Sequence, residues 1–194
     1  MPNIANTAIK VCSRASILMG GSPINSFTDG TAESDVCDAM YEDIAASSLT
    51  NCRWGFATDQ AVLNRLLNVP AGRWDSAYQL PSGTLTVNTV TVNDYPINFD
   101  TYGSKIFCNT SESSQLVADY IFRATENNWP SYFTVAVEYA MAAVLAVSVA
   151  RDASLAQMMD QKAAVFMAQA RNRDSQRQTT KRLDTSRFIA QRRS

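Results

Sequence analysis

The chain has 194 residues, 46% of them hydrophobic, which is enough for one ordinary domain with its own core and too little for a multidomain machine. It contains no histidine, which excludes every Ser-His-Asp and Cys-His scheme and removes the commonest metal ligand. The formal net charge of −1 conceals a division: residues 1–150 hold 7 Lys and Arg against 14 Asp and Glu, whereas residues 151–194 hold 10 against 4, so the two parts suit different partners.

The apolar residues between Thr7 and Met19 (Ala8, Val11, Cys12, Ala15 and Leu18) recur at helical spacing, and Gly20-Gly21 supplies a C-terminal stop. Ser22 to Phe27 reads as a loop. Asp29 or Thr31 then caps a second helix with Val36, Met40, Ile44 and Leu49 along one face and Glu33, Asp35, Asp38, Glu42 and Asp43 along the other. A third helical stretch is expected from near Trp54 through Val62, Leu63, Leu66 and Leu67 to a stop at Val69-Pro70.

From Thr84 the period changes. Leu85, Val87, Val90 and Val92 stand among threonines and asparagines, Asn93-Asp94 forms a turn, Ile97 and Phe99 follow, and Pro96 points to a sheet edge or strand end. After a turn at Tyr102-Gly103, Lys105 to Cys108 and Leu116 to Phe122 complete an antiparallel sheet over about residues 84–123. Asn127 or Asn128 and then Pro130 open the second helical block. Its window Phe133 to Ala150 is apolar nearly all round but carries Glu138 and many alanines, so it reads as a central buried helix and not a bilayer span. Asp152 or Ser154 restarts a helix to about Ala170, with Leu155, Met159, Phe166 and Ala170 near one face.

The predicted fold class is therefore α+β. N-terminal helices (1–83) and two C-terminal helices (124–170) form one helical bundle, a small antiparallel β domain (84–123) is inserted between them, and an extended basic arm (171–194) follows. Residues 171–182 contain no large apolar side chain, so the arm alone cannot offset its ordering entropy. It ends with Leu183, Arg187, Phe188, Ile189, Arg192 and Arg193, apolar anchors set among arginines, a pattern suited to docking in a pocket of another protein. Nucleic-acid binding through the same basic arm is the alternative.

Chemistry is sparse. Cys12, Cys37, Cys52 and Cys108 are scattered without a C-x-x-C pair and read as free thiols of a reducing compartment, mostly buried, with no zinc site. The N-terminus lacks the basic patch and apolar run of a secretory leader, so export by that route is not expected. Gly20-Gly21-Ser22-Pro23 follows a helix, not a strand, and lacks the Gly-Lys-Ser/Thr ending of a phosphate loop. The acidic row on the second helix reads as a solvated face. Trp54, Phe56, Trp74 and Tyr78 read as core packing where the third helix turns into the sheet, with Arg53 and Arg73 over the rings. No catalytic, cofactor-binding or metal-binding residue is assigned, and no enzymatic activity is expected.

Several segments together resemble the tail tubular protein A family, the head-to-tail adaptors of short-tailed phages. The helix ending in Gly20-Gly21-Ser22-Pro23-Ile24 is similar to the family's helix and following turn, and Cys52-Arg53-Trp54-Gly55-Phe56-Ala57 resembles its W-x-F-A segment. Arg73 to Pro81 resembles its aromatic Y-x-L-P lead into the β region, Pro130, Phe133 and Ala136 to Ala150 its alanine-rich penultimate helix, and Asp184 to Arg192 its terminal A-x-R pattern. The resemblance implies a structural virion protein, assembled in the host cytoplasm into a ring of about twelve copies between portal and tail nozzle. Genomic DNA would pass through the channel without specific binding, and no membrane is involved. The acidic body suits a lumen that does not grip DNA, and the basic arm suits acidic patches of a neighbour.

Overall fold

The computed structural model describes residues 6–68 and 72–177. The elements run α1 (Ala8–Leu18), α2 (Ala32–Thr50), β1 (Thr58–Val62), β2 (Asn64–Arg65), β3 (Ser76–Gln79), β4 (Thr84–Val92), β5 (Tyr95–Pro96), β6 (Phe99–Tyr102), β7 (Lys105–Cys108), β8 (Leu116–Phe122), α3 (Ser131–Ser148) and α4 (Ala153–Ser175). The α+β class is as expected, with helices from both parts of the chain around an inserted antiparallel region.

Helix ends follow local chemistry. Thr7 caps α1 by accepting from the Lys10 amide, and Asp152 caps α4 by accepting from the Ser154 and Leu155 amides. At the end of α1 the Gly21 amide donates to the Ser16 carbonyl at 2.9 Å and the Gly20 amide to the Ile17 carbonyl at 3.0 Å, the paired bonds of a Schellman stop. Gly20 has φ +91°, and a Cβ on Gly21 would lie 2.8 Å from the Ser16 hydroxyl, so both glycines are required by the turn. Thr31 caps α2 by accepting from the Ser34 amide, and its own hydroxyl donates to Asp29 at 2.7 Å. The two candidate caps therefore act in series. Bonds from the Thr31 side chain, the Ser34 side chain and the Thr31 amide hold the exposed Asp29 carboxyl down to about 2.

Two elements depart from expectation. The stretch after Trp54 is not a third helix: Thr58–Val62 pairs antiparallel with β8, from Thr58 opposite Ile121 to Val62 opposite Val117, and Asn64–Arg65 pairs with β3. The helical spacing of Val62, Leu63, Leu66 and Leu67 is overridden because β8 offers a row of backbone hydrogen-bonding groups that only an extended segment can satisfy. Leu63 is buried while Val62 and Leu67 are exposed, and the expected stop at Val69-Pro70 lies outside the described residues. Strands thus begin at Thr58, well before the expected start at residue 84. In α2 the buried residues are Ser34, Cys37, Tyr41, Ala45, Ser48 and Leu49, so of the expected stripe Leu49 is buried, Val36 and Ile44 pack half-buried on the helical core, and Met40 is 39% exposed. The small Cys37, Ala45 and Ser48 let α3 approach α2 closely and turn the face away from Met40.

The strands form two four-stranded sheets, ordered β1-β8-β4-β5 and β2-β3-β7-β6. Asn93 and Asp94 both have positive φ in the two-residue turn joining β4 to β5, the geometry of a primed hairpin turn. Pro96 sits on the edge strand β5, where its missing amide costs no ladder bond. Tyr78, Val90, Ile106, Cys108, Leu116 and Ala118, drawn from both sheets, build one core between them with Leu63 and Leu80. A second core joins the helices. Here α3 packs on α1, α2 and α4, and Phe133, Val137, Met141 and Leu145 are fully buried, so this apolar helix is the centre of the bundle. Strand β8 serves both cores, Leu116 and Ala118 in the sheet core and Ile121 in the helical one.

Candidate docking site at the end of the last helix

The helix α4 does not stop near Ala170 but continues to Ser175, so the first residues of the expected arm are helical. The reason is Asp174. It extends the buried series Ala163, Met167 and Ala170 by one more turn and is itself only 3% exposed. Its carboxylate accepts from the Gly55 amide at 2.8 Å and from the Tyr132 hydroxyl at 2.8 Å, tying the end of α4 to the loop after α2 and to the first turn of α3. Arg171 donates to Asn51 at the C-terminus of α2, and Arg177 lies 3.5 Å from the Tyr132 hydroxyl. Burial raises the Tyr132 phenol, Arg177 opposes that, and Asp174 reinforces it, leaving the hydroxyl protonated as the donor Asp174 needs.

Around this anchor lies an open cleft of about 730 Å³, lined among others by Arg53, Asp59, Asp119, Arg171 and Asp174. A smaller depression of about 230 Å³ adjoins it, formed by Gly55, Phe56, Asp174 and Arg177. Arg53, Arg171 and Arg177 are exposed here, and Asp59 and Asp119 belong to the same lining as Arg53 and Arg171. The arrangement places charges of both signs on one surface. Arg177 is the last described residue, and the proposed anchors Leu183, Arg187, Phe188, Ile189, Arg192 and Arg193 lie outside the described residues.

Other flagged residues are placed elsewhere. The aromatic cluster is divided: Trp54 and Phe56 pack on Phe133 in the helical core, with the Trp54 indole donating to the Ser48 carbonyl at 3.0 Å, whereas Tyr78 belongs to the sheet core. Trp74 is half-buried, donates to Asp100 at 3.2 Å and carries the Arg73 guanidinium over its ring. Arg53 is exposed at the cleft. All four cysteines are free thiols, three buried and Cys52 half-buried. A thiol hydrogen bond with Cys37, reinforced by burial, pushes Cys12 up and holds it protonated.

The sequence reading missed three polar ties. One is Asp174, whose signal was its four-residue step from Ala170. Another is Arg14 to Glu138 at 3.0 Å, which explains the carboxylate inside the apolar helix α3. Burial raises Glu138 and Arg14 opposes the rise. The third is Arg123, which bridges Glu42 at 2.7 Å and Glu126 at 2.7 Å, while the Tyr41 hydroxyl donates to Glu126 at 3.0 Å. No spacing rule reaches across the 81 residues between Glu42 and Arg123. No protein-family model matches the chain, and no curated protein matches it either.

Proposed function

We propose that the protein is a non-enzymatic structural component of a virion, a head-to-tail adaptor that forms a ring between portal and tail nozzle and continues the DNA channel. The reading rests on the resemblance of its ordered segments to that adaptor family. The observation that carries it is the segregation of the molecule into a helical core and a sheet core, with the last described residue, Arg177, on the helical side. A body with two distinct ends suits a connector that meets different partners above and below. In this reading the helices face the portal, the sheets face the tail, and Leu183, Phe188 and Ile189 anchor the arm while Arg187, Arg192 and Arg193 pair with acidic groups of the portal.

The test is light scattering on purified protein, alone and mixed with the cognate portal at moderate salt. The full chain joins a discrete ring-sized complex, and a chain lacking residues 183–194 does not. Normal co-assembly of the truncated chain overturns the anchor. The exposed Arg171, Arg173 and Arg177 favour the second reading, a nucleic-acid-binding module. A chain that ignores portal yet binds duplex DNA, with affinity falling steeply as salt rises, selects that second reading instead.

A further inference from the structure

Two helix faces of this chain carry exposed apolar side chains beside charges of opposite sign that have no ion-pair partner among the described residues. On α2, Met40 is 39% exposed and Asp43 stands one turn further along. Asp35, Asp38 and Asp43 have no Lys or Arg nitrogen within 4.0 Å among the described residues, the α2 salt bridge being that of Glu42, and α2 contains no basic residue at all. On α4, Met158 and Val165 are 43% and 55% exposed. With Tyr139 of α3 and Phe166 they line a groove of about 560 Å³. The Tyr139 and Phe166 rings stack at 4.9 Å, and Lys162 lies over the Tyr139 ring at 5.7 Å with no carboxylate within 4.0 Å among the described residues. Both α2 and α4 pack on α3 and not along each other, so neither face covers the other within one chain.

The two faces match in register. Asp43 follows Met40 by three residues and Lys162 precedes Val165 by three, so antiparallel helices that set Met40 against Val165 bring Asp43 to Lys162. Ser47 then falls opposite Met158, a small residue against a large one, which lets the helices close. The helices are 19 and 23 residues long, roughly 30 Å each at about 1.5 Å per residue, enough contact length for a specific interface.

We propose that the α2 face of one copy packs antiparallel into the α3–α4 groove of a second copy, with Met40 in the groove and Asp43 paired to Lys162. The contact is heterologous: each copy offers one face to each neighbour, so repetition closes into a ring or runs on as an open polymer. Its closure into a ring rests on the adaptor reading above, whereas the pairing of the faces rests on their own chemistry.

The experiment uses the full chain. Met40→Cys and Val165→Cys proteins are mixed at high concentration under mild oxidation, with the unsubstituted chain as background for its own thiols. Disulfide-linked pairs form in the mixture and not in either variant alone, because Met40 meets Val165 and never another Met40. In parallel, light scattering follows Lys162→Glu, which sets like charges together and weakens self-association about tenfold or more, and Asp43→Lys with Lys162→Glu, which restores it. Unchanged thermal unfolding keeps misfolding apart from a lost interface. A discrete ring-sized particle that ignores Lys162→Glu and gives no mixed disulfide overturns this inference and leaves the ring reading standing. Open polymers that dissolve in Lys162→Glu support it and overturn closure. A chain that stays monomeric at every concentration without the mixed disulfide overturns it.

Discussion

At Arg123 one guanidinium holds three elements together, bonding Glu42 of α2 and Glu126 before α3 and lying 5.5 Å from the Trp129 ring. Burial alone would raise the Glu126 carboxyl, but the bonds from Arg123 and Tyr41 prevail and the net direction is down. A depressed folded value means that ionised Glu126 stabilises the fold above its ordinary value of 4.5, and that this stability is lost as pH falls through the folded value. Replacing Arg123 by Met strands a half-buried carboxylate and costs about 1–3 kcal/mol at neutral pH. Urea unfolding of both proteins checks it: the gap narrows as pH falls below 4.5 and through the depressed folded value, where Glu126 takes up its proton. A gap that stays constant with pH points to packing instead. Asp174 is a second buried carboxylate, held by two neutral donors. Asp174→Ala leaves the Gly55 amide and the Tyr132 hydroxyl without their acceptor and costs about 1–3 kcal/mol, read by the same method. Tyr132→Phe added to it costs little more, because the bond is already gone.

Among the elements, α3 shows how an apolar helix is made specific. It is long and apolar enough to cross a membrane by length and composition, yet α1, α2 and α4 cover it, with Ala136, Ala142 and Ala146 buried among Phe133, Met141 and Leu145. Facing it, α4 contributes the small Ala156, Ala163 and Ala170, so the two backbones approach closely. Ala142→Leu has no space to fill and destabilises by about 1–3 kcal/mol, a drop in melting temperature that calorimetry detects. Helix caps and the turn at Asn93-Asp94 were legible because their chemistry is local: a hydroxyl, a carboxylate or a positive φ acts within four residues. The face of α2 was legible only in part. Leu49 is buried and Val36 and Ile44 pack against the helical core, but hydrophobicity also selects the exposed Met40 and passes over Cys37, Ala45 and Ser48, which close packing places in the seam. The strand at Thr58–Val62 was illegible for a different reason, since its identity is conferred by the unpaired edge of β8, some 60 residues away.

Over the whole molecule, and among the described residues, the helical and sheet cores are joined through β8 and burial runs as far as Asp174. A chain ending at residue 182 therefore unfolds at the melting temperature of the full chain, within the few tenths of a kcal/mol expected of surface changes. A lower melting temperature shows that the arm docks on its own body. The sequence by itself determined the α+β class, the central place of α3, the division of charge and the absence of histidine chemistry, because composition and short-range periodicity carry those properties. Only the tertiary structure decided that β1 is a strand, that Trp54 and Tyr78 belong to different cores, that α4 runs on to bury Asp174, and that Met40 is left exposed. Each of these depends on which distant surface a segment meets, and burial, pairing and close packing are properties of the meeting, not of the segment.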